Sequence, residues 1–105
     1  MVSVKSKRAK ACDIPQSVKE RVWARDGERC IICESRFAMP NSHFIRRSQG
    51  GLGIEENIVT MCFNCHREYD QGEGRREIEA YTEKYLKSLY PNWNRENLVY
   101  KKWRF

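Results

Sequence analysis

Two Cys-x-x-C pairs, CIIC at residues 30–33 and CFNC at residues 62–65, constrain this 105-residue chain more than any other feature. Two residues between cysteines let one backbone knuckle aim both sulfurs at a single ion, and a second knuckle completes the tetrahedral shell that zinc prefers. Two disulfides are the competing reading, disfavoured in a reducing compartment. A thioredoxin-like redox pair has no use for a duplicate. Cys30, Cys33, Cys62 and Cys65 are therefore expected to hold one structural zinc, with no open position for water or substrate. Such sites contribute on the order of 10 kcal/mol in small zinc domains. Cys12 is left over as a spare thiol. Nucleobase deaminases also combine cysteine pairs with histidine, but they need P-C-x-x-C downstream of H-x-E. Neither pair here follows a proline, and the H-x-E of His66 to Glu68 comes after both.

A chain of this length is read as one small domain, near the size at which a metal staple matters. Its 40% hydrophobic and 32% charged residues fit a folded protein with a water-facing surface. No apolar run approaches the roughly 18 residues of a membrane span. The opening MVSVKSKRAK lacks the apolar core of a signal peptide. A soluble protein of the cytoplasm is expected. The formal net charge is +6, but Lys5, Lys7, Arg8 and Lys10 supply four positive charges in a stretch without an acid. Bulk charge therefore says little about a polyanionic partner, and local placement must decide. Residues 1–12 are read as a basic, disordered tail and 13–105 as a single domain, with a motif core over 30–70 and a C-terminal helix and tail over 74–105.

Along that domain, DIPQSVKERVWARDG reads as a helix: Pro15 suits the first turn, Ile14, Val18 and Val22 recur every four residues, and Gly27 follows the end. The segment from Cys30 to Asn41 reads as irregular, with Pro40 limiting regular pairing. His43 to Ile45 and Asn57 to Met61 read as two short strands around QGGLGIEE, whose glycines permit positive φ. Asn64 is expected to cap a short helix from Cys65 to Asp70. A longer helix is expected over Arg75 to Leu89, burying a stripe of Ile78, Tyr81, Tyr85 and Leu89. One further helical turn starts at Asn94, before a basic and aromatic end in which Trp103 lies among Lys101, Lys102 and Arg104.

His43 then stands on the first strand, Asn57 at the start of the second, and His66 on the helix just after Cys65. Asp70 lies four residues past His66 and faces the same way, so an imidazole and a carboxylate can share one divalent cation. The run SHFIRRSQGGLGIEENIVTMCFNCHREYD, taken with CIIC, resembles the zinc-stapled form of the HNH endonuclease motif over about residues 14–70. Short proteins of this kind are common in bacteriophages and prophages. The resemblance implies an α+β fold: a small ββα-metal (His-Me finger) domain with a structural four-cysteine zinc site, flanked by helices. It gives His43 the part of the base that deprotonates water, and Asn57 that of the brace that keeps the base oriented. His66 and Asp70 become ligands of a catalytic magnesium, manganese or nickel ion. Arg46 and Arg47 are placed to hold DNA phosphate. Many members carry Asp, Glu or His just before the base, where this chain has Ser42, a poor ligand. The expected partner is double-stranded DNA, gripped from the minor-groove side with little sequence preference, besides phage packaging proteins. No membrane partner is expected, a monomer is the default, and a phage-encoded copy would act in the host cytoplasm. The rival reading is a noncatalytic zinc module that binds nucleic acid or protein.

The staple reading predicts that Cys62→Ser loses zinc and fold together, seen as zinc content by mass spectrometry and as the thermal melt by circular dichroism. A Cys62→Ser chain that stays folded without zinc would sink it.

Overall fold

The computed structural model describes residues 6–101. Four helices and two strands follow in the order α1 (Lys7–Cys12), α2 (Gln16–Arg25), β1 (Ala38–His43), β2 (Ile58–Cys62), α3 (Phe63–Gln71) and α4 (Arg75–Leu89). Single 3-10 turns lie at Arg47–Gln49, Glu55–Asn57 and Arg95–Leu98. The architecture is α+β. The two antiparallel strands form a small sheet covered on both faces.

The first helix overturns the reading of residues 7–12 as part of a disordered tail. Ser6 caps α1 by accepting from the Ala9 N–H at 3.1 Å, and Cys12 at its end is buried. Its basic composition hid it, because charge says nothing about a cap and one buried anchor. Helix α2 follows its expected pattern, with Pro15 at the N-cap, Val18 and Val22 buried, and Ile14 packed beside them. Gly27 takes φ 74° just past the end, a conformation that favours glycine.

Strand β1 begins five residues before its expected start. Ala38 pairs with Cys62 and Met39 with Met61, then the register shifts so that Ser42 meets Val59 and His43 meets Ile58. Pro40 and Asn41 thus oppose Thr60 alone, which is a bulge. Proline lacks an N–H and is tolerated there, so Pro40 bends the strand instead of preventing it. All five residues of β2 are buried. Ile58 packs with Val18 and Val22 on the α2 side, and Val59 and Met61 join Phe44, Ile78, Leu86 and Leu98 on the other.

Helix α3 starts earlier than expected and is capped by the Cys62 sulfur, which accepts from the Cys65 N–H at 3.4 Å, in place of Asn64. Helix α4 has its expected bounds but a rotated inner face. Ile78, Thr82 and Leu86 are buried and Tyr85 is half-buried, whereas Tyr81 and Leu89 are 53% and 38% exposed. Thr82 fits because its hydroxyl is spent on the Ile78 carbonyl at 2.7 Å. The turn from Asn94 is present, with Asn94 accepting from the Glu96 N–H. Trp103, Lys102 and Arg104 lie outside the described residues.

A buried ion pair that sequence reading missed ties these layers together. Arg25 contacts Asp26 at 2.8 Å, and the Asp26 carboxylate also accepts the Thr60 N–H at 2.8 Å and the Tyr85 hydroxyl at 2.6 Å. Arg25 donates further to the carbonyls of Glu55 and Ile58, both at 2.7 Å, and to the Tyr90 hydroxyl at 3.1 Å. Burial opposes the Arg25 charge, but the Asp26 carboxylate more than offsets it and raises the guanidinium pKa. Asp26→Ala would leave the Arg25 charge without its carboxylate partner and the Thr60 N–H without its acceptor. It is expected to cost about 3–5 kcal/mol in urea unfolding; a loss below about 1 kcal/mol would remove the pair from its central place.

Candidate metal centre and cleft

Two sites lie at opposite ends of β2. At its C-terminal end, Cys30, Cys33, Cys62 and Cys65 bring their sulfurs within 4.8 Å of one another. Zinc–sulfur bonds of about 2.3 Å in a tetrahedron set the sulfurs about 3.8 Å apart, so this donor set fits such an ion. Backbone N–H groups of Ile32 and Cys65 point at the sulfurs of Cys30 and Cys62, each at 3.4 Å. Burial pushes the Cys30 thiol up, but backbone hydrogen bonds from Cys33, Cys62 and Ile32 prevail and bring it to about 7. Burial and the neighbouring sulfurs raise Cys65. A cation among the four sulfurs would offset the crowding that raises Cys65. Among the described residues these four are the one group of three or more His, Cys, Asp or Glu side chains able to meet on one ion.

At the other end, His43, Arg46, Arg47, His66 and Asp70 line one open cleft of about 540 Å³ with Asn41, Ser48 and Gln71. No cysteine lines it. Strand β1 delivers His43, while α3 presents His66 and Asp70 one turn apart. The Tyr69 hydroxyl donates to the Phe44 carbonyl at 2.7 Å and so holds α3 against the residue after His43. Burial pushes the Tyr69 phenol up to about 12, keeping it a donor.

Asn57 is fully buried and braces the loop after β1 with its side chain. Its Oδ1 accepts the Ile45 N–H at 2.8 Å, and its Nδ2 donates to the carbonyls of Ile45 at 3.2 Å and Leu52 at 2.8 Å. An amide is needed here because the same side chain both donates and accepts. Gly51 passes so close that a Cβ would lie 1.6 Å from the Ile45 carbonyl oxygen. Close approach explains Gly51; positive φ, at 83°, explains Gly50.

His43 itself is held elsewhere. Its Nε2 lies 2.8 Å from the Cys12 carbonyl oxygen. A carbonyl only accepts, so Nε2 carries the hydrogen and the neutral ring keeps its lone pair on Nδ1. Burial is the main cause that holds the His43 pKa below its ordinary value; the positive charges of Arg47 and His66 add to this, and the Cys12 bond and Asp13 oppose it.

Three residues of the expected site have partners within the fold. Ser42 does not border the cleft: it is fully buried, its hydroxyl 3.5 Å from the Met61 sulfur. Arg46 is engaged with Asp70, donating to its carbonyl at 2.9 Å and standing 3.7 Å from its carboxylate. Arg47 donates to the Cys12 carbonyl and to Asp13, both at 2.8 Å. Both arginines are thus engaged within the fold. Asn41, which shares the His43 face, was missed, although the alternation of a strand would have found it once β1 was known to start at Ala38.

No family model and no solved structure matches the chain. Anaredoxin of Nostoc sp. (strain PCC 7120) is 27% identical to it over 67 residues, covering 63% of this chain and 88% of that protein. No helix of the described residues is long and apolar enough to cross a membrane.

The neutral imidazole is favoured by its surroundings, so the His43 midpoint in an NMR titration is expected below 6.5. Removing a positive neighbour eases protonation, so Arg47→Gln should move that midpoint upward. A wild-type midpoint above 6.5 would contradict the buried, cation-flanked setting.

Proposed function

We propose that this chain is a metal-dependent endonuclease of the HNH type, whose β1–β2–α3 unit is a ββα finger stapled by zinc on the four cysteines. The observation that carries the reading is the meeting of His43, His66 and Asp70 in one cleft that the cysteines do not line. The resemblance of residues 14–70 to that family adds to it, on residues that the fold brings together.

In this reading Nδ1 of neutral His43 accepts a proton from water as the water attacks phosphorus, and its low pKa keeps it unprotonated near neutral pH. The P–O3′ bond breaks, leaving 5′-phosphate and 3′-hydroxyl ends. His66 and Asp70 would hold a divalent cation, magnesium or alternatively manganese or nickel, that supplies Lewis-acid stabilisation of the phosphate and the departing oxygen. With two protein ligands at most, that cation would keep several waters and complete its shell with substrate phosphate, as magnesium does. Asn57 fixes the loop that carries Arg46 and Arg47 toward the DNA backbone. Grip through phosphates from the minor-groove side would make affinity salt-sensitive and nearly indifferent to sequence.

One observation favours the rival reading of a noncatalytic metal-binding module that contacts nucleic acid or protein. Arg46 already neutralises Asp70, so the cleft is self-satisfied as it stands. Plasmid cleavage across magnesium, manganese, nickel and zinc separates the two. His43→Ala is expected to lower metal-dependent nicking by about 10²–10⁴-fold with zinc content and melting unchanged. Equal nicking by His43→Ala, or none by the wild type with any cation, would favour the binding module.

A further inference from the structure

We propose that helix α1 is a positioning element for the cleft, setting the His43 ring through the main-chain carbonyl of Cys12. The last carbonyls of a helix have no partner within it, so the Cys12 oxygen at the end of α1 is available to outside donors. It takes two. His43 Nε2 and Arg47 Nη1 each lie 2.8 Å from it.

Independent contacts lock the junction of α1 and α2 against the loop that follows His43. Arg8 donates to the carbonyls of Ser48 at 2.9 Å and Arg47 at 3.3 Å. The Gly53 N–H donates to the Ala11 carbonyl at 2.9 Å, and a Cβ on Gly53 would lie 1.9 Å from the Asp13 carbonyl oxygen. The Cys12 side chain is 2% exposed. It anchors the junction, and its backbone carbonyl is the part that meets His43 and Arg47.

A general base must hold its lone pair within reach of the proton it takes, and the nitrogen that bears that pair is chosen by the hydrogen bond at the other nitrogen. The Cys12 carbonyl makes that choice. Its consequence for rate rests on the nuclease reading; its hold on the ring does not.

The test uses the full-length zinc-loaded chain. Gly53→Ala adds one methyl where the Asp13 carbonyl stands, displacing the junction without altering a cleft side chain. It is expected to lower kcat for plasmid cleavage by about ten- to a hundredfold, as small misplacements of a reacting group do, with KM changed less than about twofold. The ¹⁵N shifts of the His43 ring should lose the signature of a single Nε2–H tautomer. Arg8→Ala, at an exposed residue, covers the case that Gly53→Ala does not fold; it should lower kcat in the same sense, with Arg8→Lys recovering part. Wild-type ring shifts in a folded variant, or a raised KM with kcat unchanged in Arg8→Ala, would overturn the proposal. Should the wild type cut no DNA, the nuclease reading falls by itself, and the ring shifts of Gly53→Ala and Arg8→Ala still decide whether α1 sets His43.

Discussion

A two-stranded sheet is at the lower limit of what strand pairing alone stabilises, yet β2 is buried along its whole length. The fold depends on how the polar backbone of that strand is satisfied away from water. One edge pairs with β1. The other is met by the segment after α2: Asp26 accepts the Thr60 N–H and the Ile31 N–H donates to the Thr60 carbonyl. A carboxylate at that depth would be costly unless paired, and Arg25 pairs it while also reaching Glu55, Ile58 and Tyr90. One ion pair thus closes the free edge of the sheet and joins α2 to β2 and α4. The same segment continues into Cys30, and β2 ends in Cys62, so the thiol centre joins a loop and a strand that Asp26 has already brought side by side.

The cleft inherits its geometry from this arrangement. Helix α3 leaves the thiol end with Cys62 as its cap and runs back along the sheet until Tyr69 reaches Phe44. That return carries His66 and Asp70 to the end of β1, where His43 stands. Disturbing the thiols would therefore swing the helix that supplies His66 and Asp70 to the cleft. Asn57 fixes the opposite wall by holding the loop at Ile45 and Leu52. The thiol centre and the cleft are in this sense one strand and one helix apart.

What could be read in the sequence was whatever is encoded by spacing. The two Cys-x-x-C pairs, the apolar period of α2, the length of α4 and the turn at Asn94 all appear where short-range pattern puts them. His43, His66 and Asp70 meet because strand, turn and helix follow one another within a short stretch. Less legible were features whose cause lies far away in the chain. Tyr85 is 59 residues from the Asp26 it binds, and no local pattern announces that pairing. Pro40 argued against a strand only because a bulge, created by the partner's register, was not foreseen. Helix α1 was hidden because the partners of its last carbonyl lie far along the chain: His43 and Arg47 meet Cys12 from 31 and 35 residues away.

The serine before His43 changes meaning once the strand is in view. Neighbouring residues on a strand face opposite sides, so a side chain at 42 points away from the cleft into the core beside Met61. An acid there would be buried without a cation to neutralise it, at a cost of several kcal/mol. Ser42 is thus a packed core residue, and its identity takes no ligand out of this cleft. The constraint on cation binding lies instead between Arg46 and Asp70, which neutralise each other at 3.7 Å. Under the nuclease reading, a cation on Asp70 must displace that guanidinium, and a phosphate is the partner that would receive it. Cation and DNA then favour one another's binding, because each removes the charge that opposes the other. Under that reading, a cleft this poor in ligands assembles its charge balance only with the substrate in place.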